Sequence, residues 1–151
     1  LPDGRAYVLL WSHLCGTSED LTNHWTLSHD QGRTWSEPQP TNLRGQVCTP
    51  IPLADGRLDA IYNFRHDPHR IRLALSENLA IFDTERQLVV FDAGIESTLG
   101  DPSHQNFLAD HMLIAFVKPG GIQLSDGDLL VCFWCTTQGV THTRWARMGI
   151  D

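Results

Sequence analysis

The feature that most constrains this fold is a five-residue motif that occurs three times with Asp-Gly at its centre. The copies are "LPDGR" at 1–5, "LADGR" at 53–57 and "LSDGD" at 124–128. Asp-Gly beside a run of apolar residues is the strongest short-range signal of a tight β-hairpin turn. Its recurrence at intervals of tens of residues predicts a stacked or radial array of similar units.

A strand-like run follows each of these turns, and a polar loop then leads to a second run. The first runs are 5–12, 57–64 and 128–135, the second are 23–28, 70–76 and 140–147, and further runs lie at 47–53, 86–92 and 112–124. No long segment has a convincing helical period, although "SENLAIFDTERQLVV" at 76–90 has a weak one. We therefore predict an all-β protein with antiparallel strands grouped into sheets of about four, one for each unit.

The octet "SHDQGRTW" at 28–35 reads as a polar turn in which each conspicuous residue has a structural task. Gly32 permits a positive φ, and the Asp30 carboxylate can accept hydrogen bonds from the backbone amides of its own loop. Ser28 and Thr34 can tie the two ends of the loop together. Trp35 is large enough to fill the gap between neighbouring sheets.

This S-x-D-x-G-x-T-W arrangement resembles the Asp-box, or BNR repeat, of the sialidase (neuraminidase) superfamily. The matching residues are Ser28, Asp30, Gly32, Thr34 and Trp35. The resemblance implies a six-bladed β-propeller, in which the Asp-box is a structural turn at the blade periphery and also occurs in noncatalytic members. A degenerate copy at 76–82 keeps Ser76 and has Asn78 in the place of the Asp.

The resemblance covers about two and a half four-stranded blades, so we expect 1–151 to form one partial propeller domain. Residues 1–46 then form part of a blade, 47–93 a full blade, 94–111 an inserted loop, and 112–151 part of a third blade. The chain begins mid-pattern without Met, and we expect a fragment or a processed chain. Because ring closure protects sheet edges, we expect this chain to be marginal or aggregation-prone unless further blades or another chain complete the ring.

The resemblance also implies where an acidic sugar would bind. Sialidases hold the sugar carboxylate with arginines that make bidentate hydrogen bonds. In "YNFRHDPHRIRLALS" at 62–76, Asn63 and Arg65 match an Asn-x-Arg of the family at a strand end. Arg65 is thus the candidate carboxylate-binding arginine, and an exposed strand-end arginine is the alternative.

The catalytic residues of the family are not found in this chain. Its members use a Tyr nucleophile paired with a Glu, together with an Asp acid and base. Lys118 stands six residues before Leu124, where the family has the Tyr. Lys118 could bind an acidic sugar instead, and a solvated lysine is the favoured alternative. We therefore assign no catalytic residue.

Other sites with possible chemistry also have simpler explanations. The loop segment "HDPH" contains His66, Asp67 and His69, which suit a metal site, an acid–base pair or a plain type I turn. We favour the turn and predict no metal and no cofactor. Four cysteines occur, and the two in "CFWC", Cys132 and Cys135, would point to opposite faces of a strand. We predict buried, unpaired strand cysteines.

Composition excludes several classes of partner. The formal net charge is −7 and no basic stripe is visible, which argues against nucleic-acid binding. No apolar run reaches the roughly 18 residues needed for a membrane-spanning helix.

Two functions remain. The first is a sialidase-like (exo-sialidase-type) glycoside hydrolase, or an inactive fragment of one, whose full-length parent acts on the terminal acidic sugar of a glycoconjugate. The second is a noncatalytic propeller that binds carbohydrate or protein and lacks the Tyr nucleophile. The resemblance implies a sialic-acid-like sugar as partner and a secreted or periplasmic location.

Overall fold

The fold is built from β-strands alone within the residues that the computed structural model describes, which are 1–17, 19–64, 68–93, 116–137 and 140–150. The ten strands are β1 (Ala6–Leu10), β2 (His24–Ser28), β3 (Gln39–Pro40), β4 (Gln46–Pro52), β5 (Leu58–Phe64), β6 (Arg70–Ser76), β7 (Leu88–Asp92), β8 (Phe116–Gln123), β9 (Leu129–Thr137) and β10 (Val140–Met148). The all-β prediction is confirmed. Within these ranges no helix has the length and apolarity that crossing a membrane requires.

The strands form three antiparallel sheets in chain order. The first sheet has the order β1-β2-β3, the second β4-β5-β6-β7, and the third β10-β9-β8. The predicted strands at 5–12 and 57–64 thus belong to different sheets, and the segment 76–90 is a turn followed by a strand. No sequence pattern predicted β3, because this two-residue strand is exposed and contains a proline that cannot donate to a ladder.

The three Asp-Gly motifs fold into the same turn. The glycines Gly4, Gly56 and Gly127 have φ values of 86°, 92° and 98°, a region that residues with a Cβ rarely adopt. Each glycine amide donates to the carbonyl of the motif's leucine at 3.0–3.1 Å. The predicted tight turns are therefore confirmed, and the second and third of them join the antiparallel pairs β4–β5 and β8–β9.

Two apolar clusters hold the three sheets together. One lies between the first and second sheets and includes Leu9, Leu58 and Phe82. The other lies between the second and third sheets and includes Ile61 and Val131. The second sheet is consequently covered on both faces, whereas within the described part of the chain the first and third sheets each bury one.

Strands β4 and β8 run side by side in the same direction where the second and third sheets meet. Thr49 Oγ1 donates to the Pro119 carbonyl at 2.6 Å, and the Ala54 amide donates to Gln123 Oε1 at 2.7 Å. A methyl group at Gly121 would lie 2.7 Å from Cδ1 of Ile51. Gly121 is therefore required for the close approach of these two sheets.

The cysteines only partly follow the prediction. Cys15, Cys48 and Cys132 are free thiols, and burial raises the pKa of the Cys48 thiol to about 12. Cys135 is buried as predicted, but Cys132 is exposed. The two thiols do point to opposite faces of β9, and the expectation that both are buried was wrong because the face that carries Cys132 has no neighbouring sheet within the described residues.

Of the predicted domain parts, the inserted loop at 94–111 lies outside the described residues, and the blade boundaries stay predictions.

Candidate functional site

The predicted binding residues lie where β1, β5 and β9 finish, which we call the site end. Gln46, at the start of β4, is the cross-strand partner of Asn63 near the end of β5. Its side-chain amide also donates to Asp20 in the loop that follows β1, at 3.1 Å. Because β8 runs parallel to β4, Lys118 near the start of β8 lies at this end as well.

Asn63 is the most unusual side chain at the site end. Its relative exposure is 0%, yet neither Oδ1 nor Nδ2 has a hydrogen-bond partner among the residues that the structure describes. Leaving a buried amide unpaired costs about 1–3 kcal/mol. Asn63 thus holds a donor and an acceptor ready for an incoming polar group. Arg65, two residues after Asn63, lies outside the described residues, so its predicted role is not tested.

A buried carboxylate organises the loop after β1. Asp20 Oδ1 accepts from the Trp11 indole Nε1 at 3.2 Å and contacts His13 Nδ1 at 3.1 Å. Its other oxygen accepts from Gln46. Two side chains of this loop and one from β4 therefore converge on one carboxylate and fix the loop against the second sheet.

His13 is placed between two acceptors. Its Nε2 contacts the Thr17 carbonyl at 2.8 Å, while its Nδ1 faces the Asp20 carboxylate. Both ring nitrogens are therefore engaged, which fixes the orientation of the imidazole at the site end.

Lys118 adopts an unusual backbone conformation in an exposed position. Its φ is 52°, and it lies in the irregularity between Val117 and Gly120 where β8 pairs with β9. A bulge of this kind re-aims a side chain at the edge of a sheet. Lys118 shares the site end with Asn63, but whether it binds a sugar stays a prediction.

The residues of the octet at 28–35 lie at the opposite end, in the loop after β2, and they make the predicted hydrogen bonds. Asp30 Oδ1 accepts from the Thr34 amide at 2.8 Å, and its Oδ2 accepts from Thr34 Oγ1 at 2.7 Å. The Gly32 amide donates to Ser28 Oγ at 2.8 Å, and the φ of Gly32 is 87°. The hydrogen bonds from Thr34 and Ser28 lower the pKa of Asp30 to about 2.

Trp35 does not fill a gap between sheets in this structure. It is 43% exposed, and its indole Nε1 donates to the Gly32 carbonyl of its own turn at 3.1 Å. The physical reason is that no sheet of the described chain faces this side of the first sheet. The predicted packing role is instead filled in the second unit by Phe82, which is 1% exposed.

Within the described residues, no group of three or more His, Cys, Asp or Glu side chains could hold a metal ion. Of the loop that suggested such a site, His66 and Asp67 lie outside the described residues.

Sequence reasoning missed the cluster around Asp20. An isolated Asp in a polar loop has no motif, and its partners are 7, 9 and 26 residues away in the chain. One signal was present for His13. It stands nine residues after the Gly of its Asp-Gly turn, the same spacing that places Arg65 in the second unit.

Comparison with known proteins supports the fold and adds no activity. No protein-family model and no curated protein matches the sequence. A similar solved structure is the crystal structure of a protein of unknown function from Dyadobacter fermentans DSM 18053, with a TM-score of 0.64 and 19% sequence identity. The match covers 96% of this chain and 35% of that chain. The fold and the comparison together define a class no narrower than all-β proteins built from repeated antiparallel sheets.

Proposed function

We propose that this chain forms consecutive blades of a sialidase-type β-propeller whose site end binds a terminal acidic sugar as part of a glycoside hydrolase. The unpaired, fully buried carboxamide of Asn63 carries this proposal. A buried polar group without a partner is a liability for folding that function can explain. Sugar hydroxyl and acyl-amide groups offer the donors and acceptors that would pair it.

The propeller arrangement is supported by the repetition of the sheets. Equivalent Asp-Gly turns precede one strand of each sheet (β1, β5 and β9), and each sheet packs face to face on the next in chain order. Propellers are built by such radial repetition of four-stranded sheets. The Asp-box geometry at 28–35, far from the site end, is consistent with the peripheral position that the turn has in the sialidase superfamily.

A noncatalytic sugar-binding propeller is the second candidate. The position of the family's Tyr nucleophile is occupied by Lys118, which is exposed and cannot serve as a phenolate. The two candidates share the sugar-binding site and differ only in whether the bound sugar is cleaved.

Arg65→Ala in the full-length protein tests the sugar-binding proposal. We expect the apparent affinity for N-acetylneuraminic acid, and hydrolysis of a fluorogenic sialoside if the protein is an enzyme, to fall roughly 10–100-fold, because charged hydrogen bonds contribute about 1.5–3 kcal/mol each. Arg57→Ala is the matched control, since Arg57 forms an exposed ion pair with Asp55 at the opposite end. Equal binding by the wild type and Arg65→Ala removes Arg65 from the site, and binding without hydrolysis selects the second candidate.

Asn63→Leu separates function from structure. If Asn63 serves a ligand, replacing an unpaired buried amide by an apolar side chain should raise the free energy of unfolding while it weakens sugar binding. If Asn63 has a purely structural role, stability should fall. No binding of any acidic sugar to the wild type would end the proposal.

A further inference from the structure

Within the described residues, the outermost faces of the first and third sheets are each left open, and the internal repeat indicates what fits them. We call the face of a sheet that packs on the preceding sheet its leading face, and the opposite one its trailing face. In the second sheet the leading face carries Leu58 and Tyr62, in the cluster shared with the first sheet. The trailing face carries Ile51 and Ile61, in the cluster shared with the third sheet.

The third sheet has an open trailing face. Counted from the Gly of the Asp-Gly turn, Ile122 is equivalent to Ile51, and Cys132 is equivalent to Ile61. Ile122 is 58% exposed, and Trp145, the cross-strand partner of Cys132, is 72% exposed. These side chains, with Gly120, Gly121 and Leu130, line an open groove of about 630 Å³.

The first sheet has an open leading face. By the same count, Ala6, Val8 and Leu10 are equivalent to Leu58, Ala60 and Tyr62, which are all buried in the second sheet. Here Leu10 is exposed and Val8 is only half-buried. Trp35 stands in the position of the buried Phe82 and is exposed as well. One copy of the chain thus presents one unpaired face of each kind.

We propose that the trailing face of the third sheet docks on the leading face of the first sheet of a second copy. The contact repeats, between copies, the two contacts that already hold the three sheets together within one copy. Apolar side chains as exposed as Trp145 and Trp35 mark interaction surfaces when they form a contiguous patch. Because the two faces differ, the contact is heterologous and can propagate. This inference does not depend on sugar binding.

A mixing experiment tests the head-to-tail geometry. Trp145→Glu blocks the trailing face, and Leu10→Glu blocks the leading face; both side chains are exposed, so the fold should persist, as circular dichroism would verify. In sedimentation velocity we expect the wild type to form dimers and larger species as its concentration rises, and each variant alone to stay monomeric. An equimolar mixture should form a dimer and nothing larger, because one intact face of each kind remains.

Leu88→Glu is the matched control, since Leu88 is an exposed apolar residue on the outer strand β7. It should associate like the wild type. The alternative is a symmetric dimer in which two third sheets pack face to face. Trp145→Glu would abolish that dimer, Leu10→Glu would leave it unchanged, and mixing the two variants would not restore association of Trp145→Glu. This result overturns the proposal.

Alkylation of the cysteines provides a second readout. Cys132 lies in the groove, whereas Cys15 is exposed in the loop after β1. When association leaves the groove unoccupied in about a tenth of the molecules, the alkylation rate of Cys132 should fall about tenfold. The alkylation rate of Cys15 should not change. A wild type that stays monomeric at near-millimolar concentration overturns the proposal. This holds whether Cys132 of the monomer reacts freely or is protected by another segment of the same chain.

Discussion

The loop after β2 and the loop after β6 have the same hydrogen-bond framework but are stabilised in different ways. In the first, Asp30 Oδ1 accepts from the amides of Arg33 and Thr34. In the second, Asn78 Oδ1 accepts from the backbone amides two and three residues further along the chain, at 3.1 and 2.8 Å. Both loops begin at a buried serine and close with one backbone hydrogen bond to the preceding strand, at 2.9 and 2.8 Å. An acceptor two residues after the serine is therefore enough to form the turn.

The second loop is one residue shorter, which explains its lost glycine. The first loop needs two successive positive φ values, 62° at Gln31 and 87° at Gly32. The second needs only one, 67° at Leu79. The degenerate copy therefore keeps the turn without the residue that the longer loop requires.

The two loops differ most in their surroundings. Phe82 is buried between the first two sheets, and Asn42 exchanges two 2.7 Å hydrogen bonds with its backbone. The hydroxyl of Tyr7 donates to the Leu79 carbonyl at 2.7 Å. The first loop has Trp35 exposed and is stabilised mainly from within. The copy with the weaker sequence match is thus the one that contributes more to tertiary packing.

The largest expected effect comes from truncating the two equivalent aromatic residues. Phe82→Ala should lower the free energy of unfolding by about 3–5 kcal/mol, because it removes a fully buried ring. Trp35→Ala should cost about 1 kcal/mol or less, since its ring is largely solvated. Chemical denaturation measures both, and equal costs would show that the two loops are packed alike.

The carboxyl group of Asp59 in β5 is buried on the face of the second sheet that packs on the third. Burial raises the pKa of Asp59 to about 6, only partly offset by the nearby Arg57. The folded protein therefore binds a proton that the unfolded chain releases near pH 4, and stability should fall as pH rises from about 4 through about 6. The full loss is about 3 kcal/mol. Asp59→Asn should remove this pH dependence; an unchanged profile in urea titrations would contradict the assignment.

Asn42 connects the first sheet to the second loop through hydrogen bonds alone. Asn42→Ala should cost about 1–3 kcal/mol, because it leaves the backbone N–H and C=O of Phe82 without these partners. Glu37→Ala, in the exposed segment before β3, is the control and should change stability by less than about 0.5 kcal/mol. A cost no larger than that of the control would mean that water replaces the lost hydrogen bonds.

Acid should loosen the first loop and leave the second unaffected. The pKa of Asp30 is lowered to about 2 by its hydrogen bonds with Thr34 and Ser28, so its contribution is complete above its usual value of 3.8 and is lost as pH falls through 2. Asn78 does not titrate. Amide hydrogen exchange should therefore show Thr34 losing protection between pH 4 and about 2, relative to its behaviour at neutral pH, while Ile81 keeps its own. Parallel losses at both amides would mean general acid unfolding.

The smallest effect concerns the residues with positive φ. Gln31→Gly should raise stability by up to about 1 kcal/mol, because the left-handed conformation is costly for a residue with a Cβ. Leu79→Gly should instead lower stability, since the buried side chain of Leu79 packs between the sheets. Thermal unfolding of both variants compares them, and a gain at both positions would show that Leu79 contributes little packing.

Much of the fold could be predicted from the chain. Asp-Gly turns and apolar runs located nine of the ten strands, and the octet at 28–35 predicted its own hydrogen bonds, because these patterns depend on residues close together in sequence. The candidate site was less accessible. Asn63 was selected only through a family resemblance, and nothing local indicated that its carboxamide would be buried without a partner.

The amino-acid sequence by itself determined the turns, the strands and the repetition of the sheets, since all of these follow from local backbone preferences. Only the tertiary structure decided which faces are covered. The packing of sheet on sheet buries Phe82 and Asp59, leaves Trp35 and Trp145 exposed, and gathers Trp11, His13 and Gln46 around Asp20. Burial and the convergence of polar side chains on Asp20 depend on the packing of separate segments, and no local pattern encodes them.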